Sequence, residues 1–325
     1  MQHRAMSEQI PTGVRMVQAG NTADGNRLLR FDLTGRDTDA AGCGLPWLGG
    51  ELEFETWLGE ESVTCGETDG VVWRRAGNLL FLAVEQHDDP ASDPAEAVQA
   101  AYARLLEVAR ASGCACLLRA WNYLPAINAG DGDAERYRRF CLGRAAALEA
   151  AGYGERELCA GTAIGSEEPR LRIYLLSGSS PGINIENPRQ VSAYRYPRRY
   201  GPRSPSFARA TAIAGANDSR LLMISGTASV VGHRTVHVGD VEAQAMEIVR
   251  NLDSLLVEAA TTLGRPGLRE FDEESLMRVY VRREADWPAI EARLQSCWPQ
   301  VRLAGLRGDI CRSDLLVEIE AVTRG

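Results

Sequence analysis

Residues 194–211 read Y-R-Y-P-R-R-Y-G-P-R-S-P-S-F-A-R-A-T. The stretch gathers Arg195, Arg198, Arg199, Arg203 and Arg209 and interleaves them with Tyr194, Tyr196 and Tyr200, in a chain whose formal net charge is -8. An acidic protein that concentrates cations in one place has reserved them for an anion. Pro197, Pro202 and Pro205 fix φ and remove backbone donors, so these guanidinium groups are expected on an extended, irregular platform rather than along a helix face. The plainer alternative is a solvated arginine-rich surface loop.

Outward from this segment, the chain runs through one order of elements twice. Before it, short apolar runs from Val14 to Gln86 are separated by turns, and their alternation predicts strands, with a hairpin at A-G-N. Asp93 as N-cap, Pro94 at the first helical position and Gly113 past the end predict a helix between them. A buried strand ending near Pro125, a second helix over A-E-R-Y-R-R-F-C-L-G-R-A-A-A-L-E-A-A-G and a strand at L-R-I-Y-L-L-S-G complete the first half. After it come a strand, L-L-M-I-S-G-T-A-S, and a long amphipathic helix from Asp240 with apolar residues at Val241, Met246, Ile248, Val249, Leu252, Leu255 and Leu256. Strand, helix and the last strands then follow. Two α+β domains are expected, 1–186 and 187–325, each with helices on one face of its sheet. The repeat is one of architecture, with little residue identity between the halves.

A length of 325 residues is ample for two cores. The apolar fraction of 45% and charged fraction of 25% are ordinary for a soluble protein, and no apolar run approaches the length of a membrane span. The N-terminal M-Q-H-R-A-M-S-E-Q-I-P-T-G has no export signal and reads as a mobile tail of a cytoplasmic protein. Eight cysteines without a C-x-x-C pair are expected reduced and mostly buried. All 36 basic residues are arginine, which removes Schiff-base lysines and the lysine of a phosphate loop. The net negative charge argues against a nucleic-acid partner. His233 and His237 lie four apart, but their segment reads as loop or strand, so no metal site is expected. S-G-S-S-P-G at Ser177–Gly182 lacks the lysine and helix of a nucleotide loop, and no nucleophile triad can be composed from the histidines.

The second half resembles the RidA/YjgF family, of chorismate-mutase-like fold, through Y-G-P-R-S-P-S-F-A-R-A, I-S-G-T-A, G-D-V-E-A-Q and the closing V-E-I-E-A-V. From about residue 45 onward the chain is similar to the chorismatases, through R-A-W-N-Y-L-P-A-I-N, R-Y-R-R-F-C-L-G-R, G-T-A-I-G and S-G-T-A-S-V-V-G-H. The resemblance implies two RidA/YjgF-like domains in tandem and a cofactor-free enzyme that removes pyruvate from chorismate, with a hydroxybenzoate as the expected aromatic product. Imine deamination of the RidA kind, or a non-catalytic anion sensor, are the alternatives.

Chorismate is a dianion, and arginine forks suit its two carboxylates. The resemblance implies substrate contacts at Arg203 with Tyr194 or Tyr200. Arg136 and Arg144 on the R-Y-R-R-F-C-L-G-R helix, and Thr227 in S-G-T-A, are further candidates, and a ligand held by both domains would lie in the cleft between them. The reaction needs an acid to protonate the enol ether. Glu318 and Glu320 share one face of a strand by its period of two. The family pattern implies Glu320 as the proton donor and Glu318 as its support, and two adjacent carboxyls would lift one pKa. Water attack would give a dihydroxycyclohexadiene acid, and intramolecular attack a hydroxybenzoate. Gly226 and Ser313 are the positions expected to differ between subfamilies, glycine leaving room for the ring to shift. The partner is thus a small dianion, and the protein a monomer or small homo-oligomer.

Overall fold

A computed structural model of the chain describes residues 14–18, 26–37, 40–215 and 219–325; the N-terminal tail expected from sequence, residues 1–13, lies outside them. The N-terminal part forms β1 (Val14–Gln18), β2 (Arg27–Asp32), β3 (Ala41–Gly42), β4 (Trp47–Gly50) and β5 (Phe54–Gly59). The next stretch is β6 (Thr64–Thr68), β7 (Val71–Ala76), β8 (Leu79–His87), α1 (Ala95–Ala111), β9 (Cys116–Pro125), α2 (Arg136–Ala150), β10 (Ala160–Ser166) and β11 (Arg170–Gly178). Then come β12 (Ile183–Ile185), β13 (Ala210–Ala214), β14 (Arg220–Ala228), β15 (Val230–Val231), β16 (Arg234–Thr235) and α3 (Val241–Leu263). The chain closes with β17 (Leu276–Val281), α4 (Trp287–Cys297), β18 (Arg302–Arg307) and β19 (Val317–Arg324).

The helices begin and end where the capping residues ask. Asp93 Oδ1 accepts from the Ala95 amide at 3.0 Å, and Asp240 Oδ1 from the Ala243 amide at 3.0 Å, each satisfying a donor that the first helical turn leaves open. Gly264 at φ +64° takes the left-handed conformation that closes α3, where a side chain would be strained. The buried face of α3, Ile248, Leu252, Leu255, Leu256 and Ala259, follows the helical period.

The two large sheets have one topology. The first runs β10-β9-β11-β8-β7-β6, and the second β12-β13-β14-β19-β17-β18 with β4 added beyond β18. Read from the other end, β18, β17, β19, β14, β13 and β12 correspond in turn to β10, β9, β11, β8, β7 and β6. The parallel pairs match too: β9 with β10, and β17 with β18. The α+β class, with two like units in tandem and helices on one face of each mixed sheet, is therefore the architecture observed.

Helices α1 and α2 cover the outer face of the first sheet, and α3 and α4 that of the second. The inner faces meet in a central core that includes Trp121, Tyr123 and Tyr174 from one sheet and Met223, Tyr280 and Leu306 from the other. Phe31 and Trp57, from the small sheet β1-β5-β2-β3, pack into the same core. Strand period then sorts β19. Val317, Ile319 and Ala321 pack toward the helices, and Glu318 and Glu320 turn toward the first unit. Burying two carboxyl groups there is costly unless each has a partner or a proton.

Candidate active site

Between the sheets, Glu320 is met by guanidinium groups from both units. Arg119 of β9 donates to Glu320 Oε2 at 2.6 Å, and Arg278 of β17 lies 3.3 Å from Oε1. Arg278 donates also to Glu55 Oε2 at 2.9 and 2.6 Å, and Trp57 Nε1 donates to Glu55 Oε1 at 2.7 Å. Opposite charges alternate along the chain Glu55, Arg278, Glu320, Arg119, so four charges buried between the sheets are paired. The hydroxyl of Thr162 in β10 donates to Glu320 Oε2 and accepts from Arg119 at 2.7 Å and from the Gly226 amide at 3.0 Å. Neither of the two cavities beside this cluster has Glu320 in its wall.

Glu318 has different surroundings. Only 4% exposed, it lines an outer cavity of about 290 Å³ and a narrower inner one of about 40 Å³. The two cavities share Tyr137, Pro205, Phe207, Gly226, Cys311 and Glu318, so they form one recess with an inner end at Gly161 and Thr162. Burial pushes the Glu318 carboxyl up to about 8, and the nearby charge of Glu320 adds to the rise; Arg119 and Arg209 only partly offset it. A carboxyl of this kind carries its proton at neutral pH. Gly226 is glycine for a local reason, since a methyl group there would overlap Glu318 Oε1. The register of β14 against β19 also shifts between Ile224 and Thr227, at that glycine.

Cations surround the recess. Arg144 of α2, 4% exposed, lines the inner end with its guanidinium carbon 5.2 Å from the Tyr102 ring centroid and its Nε without a hydrogen-bond acceptor. Arg209 donates to Val191 O and to the Tyr196 hydroxyl, both at 2.8 Å, and its Nε is also unmatched. Arg312 donates to His233 O at 3.0 Å and lies 4.1 Å from the Tyr200 ring centroid. Arg199 donates to His233 Nδ1 at 2.8 Å. None of these four has an ion-pair partner among the described residues. A buried guanidinium without a counter-charge is costly, and an incoming carboxylate would supply one.

The residues expected from sequence separate accordingly. Arg144, Tyr200, Gly226, Ser313 and Glu318 line the recess. Arg203 does not: it is exposed and paired with Glu149. Arg195 and Arg198 are likewise exposed and paired, with Glu155 and Asp133. Tyr194 packs beside the helix-side core of the first unit. Arg136 is buried but committed, donating to Asp88 Oδ2 at 2.5 Å and to Pro125 O at 3.0 Å, and it borders a separate surface hollow. Thr227 is buried with its hydroxyl donating to Ser225 O at 2.9 Å, outside the recess lining. Glu320, expected as the proton donor, lies outside the recess lining and is held by Arg119 and Arg278. Sequence reasoning named no role for Arg312, Cys311, Tyr137 or Phe207. Arg312 owes its place to Tyr196 and Tyr200, which no local pattern around it announces.

Of the two histidines four apart, His233 meets Arg199, and His237 Nε2 lies 3.2 Å from Glu247 Oε2. All eight cysteines are free thiols. No group of three or more His, Cys, Asp or Glu that could hold a metal occurs among the described residues. No described helix is long and apolar enough to cross a membrane.

Fold and recess together define a two-unit α+β enzyme with a buried acid facing an arginine-lined hollow at the junction of the units. Comparison with known proteins narrows this class. Residues 55–177 match the family model described as chorismatase FkbO/Hyg5-like, N-terminal. The chain is 38% identical over 277 residues to a 3-hydroxybenzoate synthase of Streptomyces hygroscopicus, covering 82% of this chain and 80% of that one. It is also 38% identical over 279 residues to a chorismatase of Streptomyces rapamycinicus, covering 82% and 81%. A crystal structure of a chorismatase superposes with a TM-score of 0.78 at 32% identity, over 95% of this chain and 97% of that one. The chain belongs to the chorismatase family.

Proposed function

We propose that the protein converts chorismate to pyruvate and a hydroxybenzoate, with Glu318 as the proton donor. One observation carries the assignment: a buried carboxyl, pushed up to about 8, faces a recess in which Arg144, Arg209 and Arg312 have no ion-pair partner among the described residues. Arg144 at the inner end and Arg209 with Arg312 in the outer part suit the two carboxylates of the dianion. A volume of about 290 Å³ is at the small end for ligand sites and suits a substrate with one six-membered ring.

Glu318 delivers its proton to the methylene carbon of the enolpyruvyl ether, leaving an oxocarbenium-like centre. The ring C–O bond then breaks, and its electron pair returns to the ether oxygen, which departs as the ketone of pyruvate. The ring keeps its own hydroxyl oxygen, loses one proton and becomes aromatic; the Glu318 carboxylate recovers that proton. Atoms balance without added water: one chorismate gives one pyruvate and one hydroxybenzoate. If the ring oxygen stays on its carbon the product is 4-hydroxybenzoate, and if it moves to the carbon that lost pyruvate the product is 3-hydroxybenzoate. Gly226, without a side chain, lets the Glu318 carboxyl lie against the backbone at the recess wall. The name of the synthase from Streptomyces hygroscopicus supports the second product.

Purified protein incubated with chorismate should release pyruvate, followed by a coupled assay, together with an equal amount of hydroxybenzoate separated by HPLC. Pyruvate with a non-aromatic diol would place the protein with hydrolytic chemistry, and no pyruvate would overturn the proposal.

A further inference from the structure

Glu320 lies outside the recess lining, held by two arginines, yet it stands two residues from Glu318 on the same side of β19, about 6.7 Å along the strand. Its carboxylate gathers three elements at one point: Arg119 from β9, Arg278 from β17 and the Thr162 hydroxyl from β10. Thr162 uses its full hydrogen-bonding capacity there, donating once and accepting twice. One of the two bonds it accepts comes from the amide of Gly226, the residue that a Glu318 oxygen closely approaches. A continuous set of hydrogen bonds therefore runs from the buried ion pairs to the backbone beneath the acid.

We propose that Glu320 and Thr162 act together as positioning residues, holding Gly226 and Glu318 in the geometry that delivers the proton. This rests on Glu318 being the acid. Glu320 fixes Thr162, Thr162 fixes the Gly226 amide, and the Gly226 backbone limits where the Glu318 carboxyl can lie. Charge works in the same direction. Glu320 opposes a second negative charge at Glu318, and its pairing with Arg119 occupies a guanidinium that would otherwise favour ionised Glu318. The other titratable groups facing Glu318 are Arg209 on the second unit, Tyr137 and Arg144 on α2, and Cys311 before β19. Tyr137 and Cys311 are both pushed up by burial and are neutral at working pH, so Glu320 is the negative charge in this group.

The test is the pH profile of kcat with chorismate for the whole chain and for Glu320→Gln, Thr162→Val and Thr162→Ser. Glu320→Gln keeps acceptors for the arginines and removes the charge. Its alkaline limb should move down by about one pH unit or more, because a lost like charge and a freed Arg119 both favour ionised Glu318. Thr162→Val, which loses the hydroxyl at nearly constant shape, should lower kcat at least about 10-fold with KM within about twofold. Thr162→Ser should restore kcat to within about threefold of the parent. A folded Glu320→Gln protein with an unmoved limb would overturn the charge role, and equal kcat in the valine and serine variants would overturn the positioning role. If Glu320→Gln does not fold, the Thr162 pair decides alone. Glu318→Gln separates the two levels: if it retains turnover, the acid assignment itself fails, whereas an inactive Glu318→Gln beside unaffected Glu320 and Thr162 variants sinks only the present inference.

Discussion

The two sheet-and-helix units share a strand order and an arginine at matching positions, but only the second places carboxyl groups opposite it. Arg119 and Arg278 correspond: each sits on the strand after the first helix of its unit, and each faces an alanine that precedes glycine on the parallel neighbour, Ala160 or Ala304. On the antiparallel neighbour the units part. Arg278 and Tyr280 face Glu320 and Glu318, whereas Arg119 and Trp121 face Leu176 and Tyr174. The first unit thus retains the arginine without the carboxyls, and its arginine reaches across to the second unit's Glu320. The repeated scaffold is thus asymmetric, one half supplying Glu318 and Glu320 and the other supplying Arg119 and Arg144.

The sharpest way to break this comparison is to remove the acid that the first unit lacks. Glu318→Gln should lower kcat by about 10²–10⁴-fold, the range of a lost general acid, in a protein that still folds. Next, Arg278→Met strips one partner from a buried pair and should cost about 3–5 kcal/mol of stability in denaturant titration, since Glu55 and Glu320 lose their shared cation. Arg144→Ala tests the first unit's contribution to binding. It should lower kcat/KM by a factor corresponding to about 2–5 kcal/mol, with little change in stability, because no carboxylate is left behind.

A smaller and more diagnostic effect is expected from pH. With Glu318 as the proposed proton donor, kcat should fall as pH rises through about 8. The same group shapes stability. Its pKa in the folded protein exceeds the ordinary value of 4.5, so the native state binds more protons than the unfolded chain between those values, and the stabilisation present at low pH is lost on going up through about 8. Glu318→Gln removes that dependence, and thermal unfolding at pH 8 should occur at a higher temperature in the variant than in the parent. The smallest effect belongs to Arg203→Ala. With an exposed partner in Glu149, it should alter stability by about 0–1 kcal/mol, and KM should be unchanged.

Much of this arrangement could be read before any coordinates. Asp93, Asp240 and Gly264 mark helix ends through local chemistry, and the alternation V-E-I-E-A-V puts both glutamates on one face because strand geometry allows nothing else. What distinguishes Glu318 from Glu320 is not local. It depends on Arg119 and Thr162 arriving from another sheet about 160 to 200 residues earlier in sequence, at separations of 201 and 158. The arginine-rich segment fails for a related reason. Its composition announces an anion site, but only the turns set by its prolines decide that Arg199 and Arg209 face the recess while Arg195, Arg198 and Arg203 face acidic residues on the surface. Arg312 could not be singled out at all, since its value comes from Tyr196 and Tyr200, which lie more than a hundred residues before it.

Strand β4 lies among the first fifty residues, yet it pairs with β18 near the end of the chain, Ala304 opposite Gly50 and Leu306 opposite Trp47. Severing the protein between its halves would leave the later fragment with the outer side of β18 bare, a row of unmatched amides and carbonyls open to adhesion with other copies. The leading segment is in this sense a seam sewn across both halves, and attempts to produce either one separately should meet insolubility before they meet loss of chemistry.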